Sequence, residues 1–185
     1  TSPVFAQAIV ARPGGTEARR SDDAFERRLV VLRRQIETAA RSTGLGELHV
    51  VSLSGRTIVY KGLVSGDRLA DLYPDLRAPV ALSHAIFHQR FATNTRPVWQ
   101  LAQPFRSIAH NGEINTVRGN REQVRGRFAD RLGGPSATLA RRLLAAGPLL
   151  SSDGSDSLSL DEALELLTTT GFSLPMALLA TIPEA

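Results

Sequence analysis

The 185-residue chain, 42% hydrophobic and 22% charged, has the balance of one globular domain long enough to bury a sizeable core. Its net charge of +4 comes almost wholly from arginine, Lys61 being the only lysine, and the arginines alternate with acids rather than clustering among aromatics, which argues against a nucleic-acid partner. No apolar run approaches the roughly 18 to 20 residues of a membrane span, the first ten residues lack the basic start of a signal peptide, and the absence of cysteine excludes disulfides, thiolate metal sites and a cysteine nucleophile; a cytoplasmic setting without a membrane partner is expected.

Residues 1–10 alternate as an edge strand does before Arg12-Pro13-Gly14-Gly15 breaks them. From Asp22, the spacing of Phe25, Leu29, Leu32 and Ile36 predicts an amphipathic helix with its arginines on the solvated face. Asp23 and Glu26 resemble a capping pair, and Gly44 is placed to stop the helix. The β-branched runs 48–53 and 57–60 predict a hairpin about Ser54-Gly55. A short helix over 67–73 follows, Pro74 and Pro79 impose extended chain, and 80–91 reads as a strand carrying Arg90 at its end.

Asn115 or Thr116 then caps a helix running toward Phe128, and residues 136–146 form another, closed by Gly147-Pro148. A polar loop over 151–157 leads to Ser159-Leu-Asp-Glu162, read as a capping box opening a helix that buries Leu160, Ala163, Leu164 and Leu167. Gly171 ends that helix, and a last apolar helix over 174–182 tolerates Pro175 in its first turn. Strands interspersed with helices, without a strict β-α-β rhythm, make the expected class α+β.

The chemistry concentrates between His84 and Gly119, where two strand-like runs end in polar groups. Arg90 offers a planar fork suited to a carboxylate, or to a structural ion pair at a strand end. Asn111-Gly112 offers a side-chain amide and an unobstructed glycine N–H to a developing oxyanion, but the same dipeptide is a common hairpin turn. Asp156 suits a ligand ammonium or simply a helix dipole. The residues leave each pair of readings open. The four histidines show no metal-ligand spacing, so no metal is expected. A carboxylate clamp, an oxyanion donor pair and an ammonium acceptor together describe a site for a free amino acid whose side-chain carbonyl is attacked.

The runs His88-Gln-Arg90-Phe-Ala-Thr93-Asn94-Thr, Trp99-Gln-Leu-Ala-Gln-Pro-Phe-Arg106, His110-Asn-Gly-Glu-Ile-Asn115-Thr-Val-Arg-Gly-Asn120 and Gly154-Ser-Asp156-Ser-Leu-Ser-Leu-Asp161 resemble the class II glutamine amidotransferase domain of the glutamate synthase large subunit. Ser52-Leu-Ser-Gly-Arg-Thr-Ile-Val-Tyr-Lys61-Gly and the closing Ile182-Pro-Glu-Ala extend the resemblance over nearly the whole chain. It implies that residues 1–185 are part of one type-2 glutamine amidotransferase domain with an Ntn-hydrolase-like αββα sandwich of antiparallel sheets. By motif position it also implies that Arg90 binds the glutamine carboxylate with Thr93 beside it, that Asn111 and Gly112 form the oxyanion hole, and that Asp156 holds the ammonium. Ammonia released from glutamine would pass to the synthase part of the same polypeptide, which makes glutamate from 2-oxoglutarate with FMN, an iron–sulfur cluster and, in some members, a reductase subunit. The implied setting is an oxidoreductase of nitrogen assimilation.

One departure limits what carries over. The family's nucleophile is a cysteine in a Cys-Gly motif at the mature N-terminus, upstream of these runs, and this sequence has none. The expectation is an internal fragment, incomplete at both ends and inactive alone. Two alternatives stand beside it: Thr1 as an N-terminal nucleophile, and a non-catalytic domain that binds an amino acid or a partner.

Overall fold

The computed structural model describes residues 3–12, 22–89, 98–110, 114, 117–152 and 154–181. Six helices run through them: α1 (Asp22–Ser42), α2 (Leu69–Leu72), α3 (Val117–Asp130), α4 (Ala137–Ala145), α5 (Asp156–Thr169) and α6 (Leu174–Thr181). Short 3-10 turns flank α2, cover Trp99–Leu101 and join α3 to α4. The glycines expected to end helices do so, Gly44 and Gly171 taking φ of 83° and 104° in the left-handed region.

The core is assembled around α5. On one side Ala163 and Leu166 meet Val31 of α1, Val124 and Phe128 of α3, Ala140 and Leu143 of α4, and Leu150. On the other, Leu164 and Leu167 meet Ala177 and Ala180 of α6, with Ile108 and Phe172 at the margin. A helix buried on both sides has a broad apolar surface instead of one stripe.

The end of α4 shows how the helices are locked. Its terminal carbonyls have no partner within the helix, and α1 supplies donors: Thr38 Oγ1 donates to Ala146 O at 2.7 Å, and the Arg34 guanidinium donates to Pro148 O and Leu149 O. Gly147, at φ 134°, passes so near that an added Cβ would lie 2.4 Å from Thr38 Oγ1. Here a left-handed backbone and a close approach both require glycine.

These contacts overturn the expected polarity of α1. Arg33 and Arg34 are 5% and 7% exposed, whereas Leu32 and Ile36 are 46% and 39% exposed. Paired acids and carbonyls let the guanidiniums enter the interior, and α1 turns a face other than its apolar one toward α4 and α5. The Asp23–Glu26 capping pair is replaced as well, because Glu26 accepts from Ser54 Oγ at 2.7 Å and Gly55 N–H at 2.8 Å.

The larger correction concerns the sheets: among the described residues there is no strand, so the expected αββα sandwich of antiparallel sheets is not what the chain forms. The Ser54-Gly55 reversal is present, but its arms share no ladder. Their donors go to side chains, Val50 N–H to Glu37 Oε1 at 3.2 Å, Arg56 N–H to Ser54 Oγ at 3.0 Å and Val59 N–H to Ser52 Oγ at 3.2 Å. A two-stranded ribbon with no further strand is marginal in water, so side-chain acceptors compete successfully for its amides. Residues 80–87 form no regular element, bend at Ser83 and lie exposed, with Leu82 and Phe87 at 65% and 88%. Pro74, expected to extend the chain, instead opens the 3-10 turn Pro74–Arg77, where its missing N–H is no loss.

Candidate active site at the start of helix α5

The N-cap of helix α5 lies four residues before Ser159, the cap of the expected box. Ser155 is the N-cap, its hydroxyl accepting from Leu158 N–H at 3.1 Å. Glu162 reaches back to Ser151, accepting from its N–H at 2.8 Å and its hydroxyl at 2.6 Å. The acid therefore pins the loop before the helix rather than the residue where the box was expected.

Asp156 occupies the first helical position, where the helix dipole favours a carboxylate. Its Oδ1 accepts from Ser157 N–H at 2.6 Å and lies 3.2 Å from Ser157 Oγ, which is itself 2.9 Å from His110 Nε2. His110 immediately precedes Asn111. Arg121 of α3 holds the loop from the other side, donating to Ser152 O at 3.1 Å, Gly154 O at 2.7 Å and Ser159 Oγ at 2.9 Å. Asp156, Arg121, Ser159 and Ile114 line a narrow cleft.

A second set of contacts fixes the segment leading to His110. Asp161 is fully buried and accepts from Arg106 N–H at 3.0 Å, Ser107 N–H at 2.8 Å and Arg106 Nε at 2.9 Å. Arg106 also lies 3.4 Å from Glu165, which pairs with Arg33 of α1, and Arg33 in turn reaches Glu37 at 3.2 Å. A buried carboxylate given three donors, two of them backbone, holds its segment in register.

Of the five residues expected to bind or activate substrate, only Asp156 lies among those described; Arg90, Thr93, Asn111 and Gly112 lie outside them. What the structure joins is the neighbour of Asn111 to the neighbour of Asp156, through His110 and Ser157. His110, Arg106, Arg121 and Asp161 were not singled out from sequence. Asp161 carried a signal, since it falls four residues after Ser157 and three before Leu164, on a face the helix buries. An acid on a buried face implies a specific partner.

Between α1, the 48–61 arms and α5 lies a more open cavity of about 360 Å³, lined by Glu37, His49, Lys61, Phe105, Arg106 and Asp161 among others. Burial and the nearby Lys61, Arg106 and Arg33 push the His49 imidazole down to about 3, so it is neutral at pH 7. Burial, followed by the charge of Arg106, lowers the Lys61 ammonium to about 8, against the opposing pull of Asp161 and Glu37.

The His110, Asp156 and Asp161 contacts join runs on which the sequence resemblance rests, and comparison with known proteins decides what that resemblance means. A family model described as class-II glutamine amidotransferases matches residues 1–185. The chain belongs to the class-II glutamine amidotransferases. Relatives of this amidotransferase chain include the glutamate synthase [NADPH] large chain of Azospirillum brasilense, 39% identical over the whole chain. The glutamate synthase [NADH] of Saccharomyces cerevisiae is 44% identical over 87% of the chain, and the chloroplastic ferredoxin-dependent glutamate synthase of Oryza sativa subsp. japonica is 42% identical over 88%. The chain spans 12%, 7% and 10% of their respective lengths. The rice relative's chloroplastic name leaves a cytoplasmic setting as an expectation for this chain; no helix among the described residues is long and apolar enough to cross a membrane.

Proposed function

We propose that residues 1–185 form part of one glutamine amidotransferase domain that binds glutamine for hydrolysis to glutamate and ammonia. In this reading Arg90 grips the substrate carboxylate with Thr93 beside it, Asp156 takes the ammonium, and Asn111 with the Gly112 N–H receives the amide oxygen as it becomes an oxyanion. The observation that carries the proposal is the family match over the full chain to relatives named glutamate synthases. The His110–Ser157 contact supports it, because it brings His110, the residue before Asn111 in sequence, to the start of α5, where Asp156 sits.

Attack on the amide carbon needs a nucleophile, and with no cysteine in these residues the chain alone supplies the binding and electrostatic groups without the thiol. It is therefore proposed to be inactive by itself. The ammonia would serve transfer to 2-oxoglutarate in a synthase part of the longer polypeptide, with a reductase subunit as partner in some members. FMN and an iron–sulfur cluster would belong to that part, since a chain without cysteine does not fit the thiolate ligation that such clusters need.

The test is a chimera in which these residues replace the matching stretch of the Azospirillum brasilense large chain. Ammonia release from glutamine should persist in the chimera, and Arg90→Ala should raise KM at least tenfold. A correctly folded chimera that releases no ammonia, or one indifferent to Arg90→Ala, overturns the assignment. If the folded chimera releases no ammonia yet still binds glutamine, measured by calorimetry and lost on Arg90→Ala, the non-catalytic binding reading takes its place.

A further inference from the structure

Lys61 is the only lysine of the chain and is 5% exposed. Its ammonium donates to Gln100 O at 3.2 Å and stands 5.0 Å from the centre of the Phe105 ring. Neither is a counter-ion. An ammonium carries three donors, so two N–H groups of a buried cation remain for whatever enters the cavity of about 360 Å³ that it lines. The neighbouring charges are committed elsewhere. Asp161 is taken by Arg106 and Ser107, Glu37 by Arg33 and Val50 N–H, and Glu162 by Ser151. His49 faces Glu37 from 3.5 Å.

We propose that this cavity is a carboxylate-binding site, in which a single carboxylate pairs with the Lys61 ammonium while its apolar remainder lies against Phe105, Val51 and Leu158. The size falls at the small end of the roughly 300 to 1,000 Å³ typical of small-molecule sites. The charge requirement is specific. Among the described residues Lys61 is the one buried cation on these walls without an acid partner, Arg41 being exposed and bonded to Thr38 Oγ1, and Glu37, Glu47, Asp161 and Glu162 on the same walls repel a more highly charged anion such as phosphate. The lowered ammonium of Lys61, at about 8, is what an incomplete pair leaves behind, because burial without an opposite charge disfavours the protonated form. The carboxylate can come from a free small acid or from an aspartate or glutamate side chain of another polypeptide segment; the same two N–H groups serve both. The inference is independent of glutamine hydrolysis, resting on residues outside the five assigned to it.

The single lysine makes the test direct. The chain is produced with 13C-labelled lysine, so that one signal reports Lys61, and is titrated separately with butyrate, with N-acetyl-glutamate blocked as its α-amide, and with inorganic phosphate. Saturable movement of the signal with either carboxylate, with the Lys61 pKa rising from about 8 by a unit or more, is the expected result. A preference for butyrate assigns a free acid; a preference for the blocked glutamate assigns a side chain. No saturable shift with either, or equal binding of phosphate, overturns the proposal. Calorimetry on Lys61→Met, with helicity checked by circular dichroism, should show at least tenfold weaker carboxylate binding; retained affinity in the folded variant also overturns it.

Discussion

Residues 117–181 and residues 43–110 respond to the same solvent in opposite ways. The first stretch packs apolar residues of α3, α4, α5 and α6 into two clusters on either side of α5. The second leaves Leu48, Ile58, Val64, Val80, Leu82 and Phe87 exposed and, among its described residues, makes no strand. The difference lies in where backbone hydrogen bonds are made. A helix satisfies its amides within itself and needs packing on only part of its surface, whereas a strand satisfies them only through a neighbour. The middle region is therefore held by borrowed acceptors such as Glu26, Glu37 and Ser52, and by the Asp161 and Arg106 bridge to the helical part.

Removing that bridge should have the largest effect. Asp161→Ala leaves two backbone N–H groups without their acceptor and the Arg106 guanidinium with only the 3.4 Å contact to Glu165, and it should cost about 3 to 5 kcal/mol. Chemical denaturation measures this, and a loss under 1 kcal/mol would mean the two regions are not joined there. Leu166→Ala, at a fully buried position facing α1, α3 and α4, should cost about 2 to 5 kcal/mol with little change in the exchange of amides in residues 43–110. An equal loss of protection in both regions would dissolve the contrast.

The middle region should show its own acid sensitivity. His49 in the unfolded chain takes up a proton near 6.5, but in the folded chain only near 3. Stability is therefore unaffected by this group above pH 6.5 and falls as pH drops from there toward 3, because the unfolded state binds more protons. The slope is at most about 1.4 kcal/mol per pH unit, and less because the side chain is 27% exposed. Urea titrations of His49→Gln at pH 7 and pH 5 should show a smaller difference than the parent chain; an unchanged difference would place the acid sensitivity elsewhere. Ser155→Ala, which removes the N-cap of α5, should cost about 1 kcal/mol and lower the melting temperature by a few degrees. Phe87→Ser, on the exposed segment 80–87, should change stability by no more than about 0.5 kcal/mol, and a larger loss would mean that segment is covered in solution.

Much of the candidate site was readable as words in the chain and little of it as geometry. The family runs were legible because they are contiguous, and the polar loop before α5 was legible because Gly154 and its serines punctuate the apolar pattern. The helix start was misplaced because Ser155 and Ser159 are both good caps, and only Arg121's hold on Ser159 and Glu162's hold on Ser151 distinguish them. His110 was passed over because a histidine next to Asn111 gains meaning only when Ser157, forty-seven residues away, meets it.

What the chain determined unaided was local: the helical stretches and their glycine stops, the Ser54-Gly55 reversal, the lack of a thiol and the runs that mark the family. These depend on neighbours a few residues apart, through periodicity, capping and backbone freedom. The tertiary structure decided which face of α1 is buried, since Arg33 and Arg34 enter the interior only because Glu37, Glu165 and the end of α4 accept from them. It also decided that the β-branched runs stay unpaired. A strand's partners, like a buried charge's, come from distant parts of a chain, and no local pattern says whether they arrive.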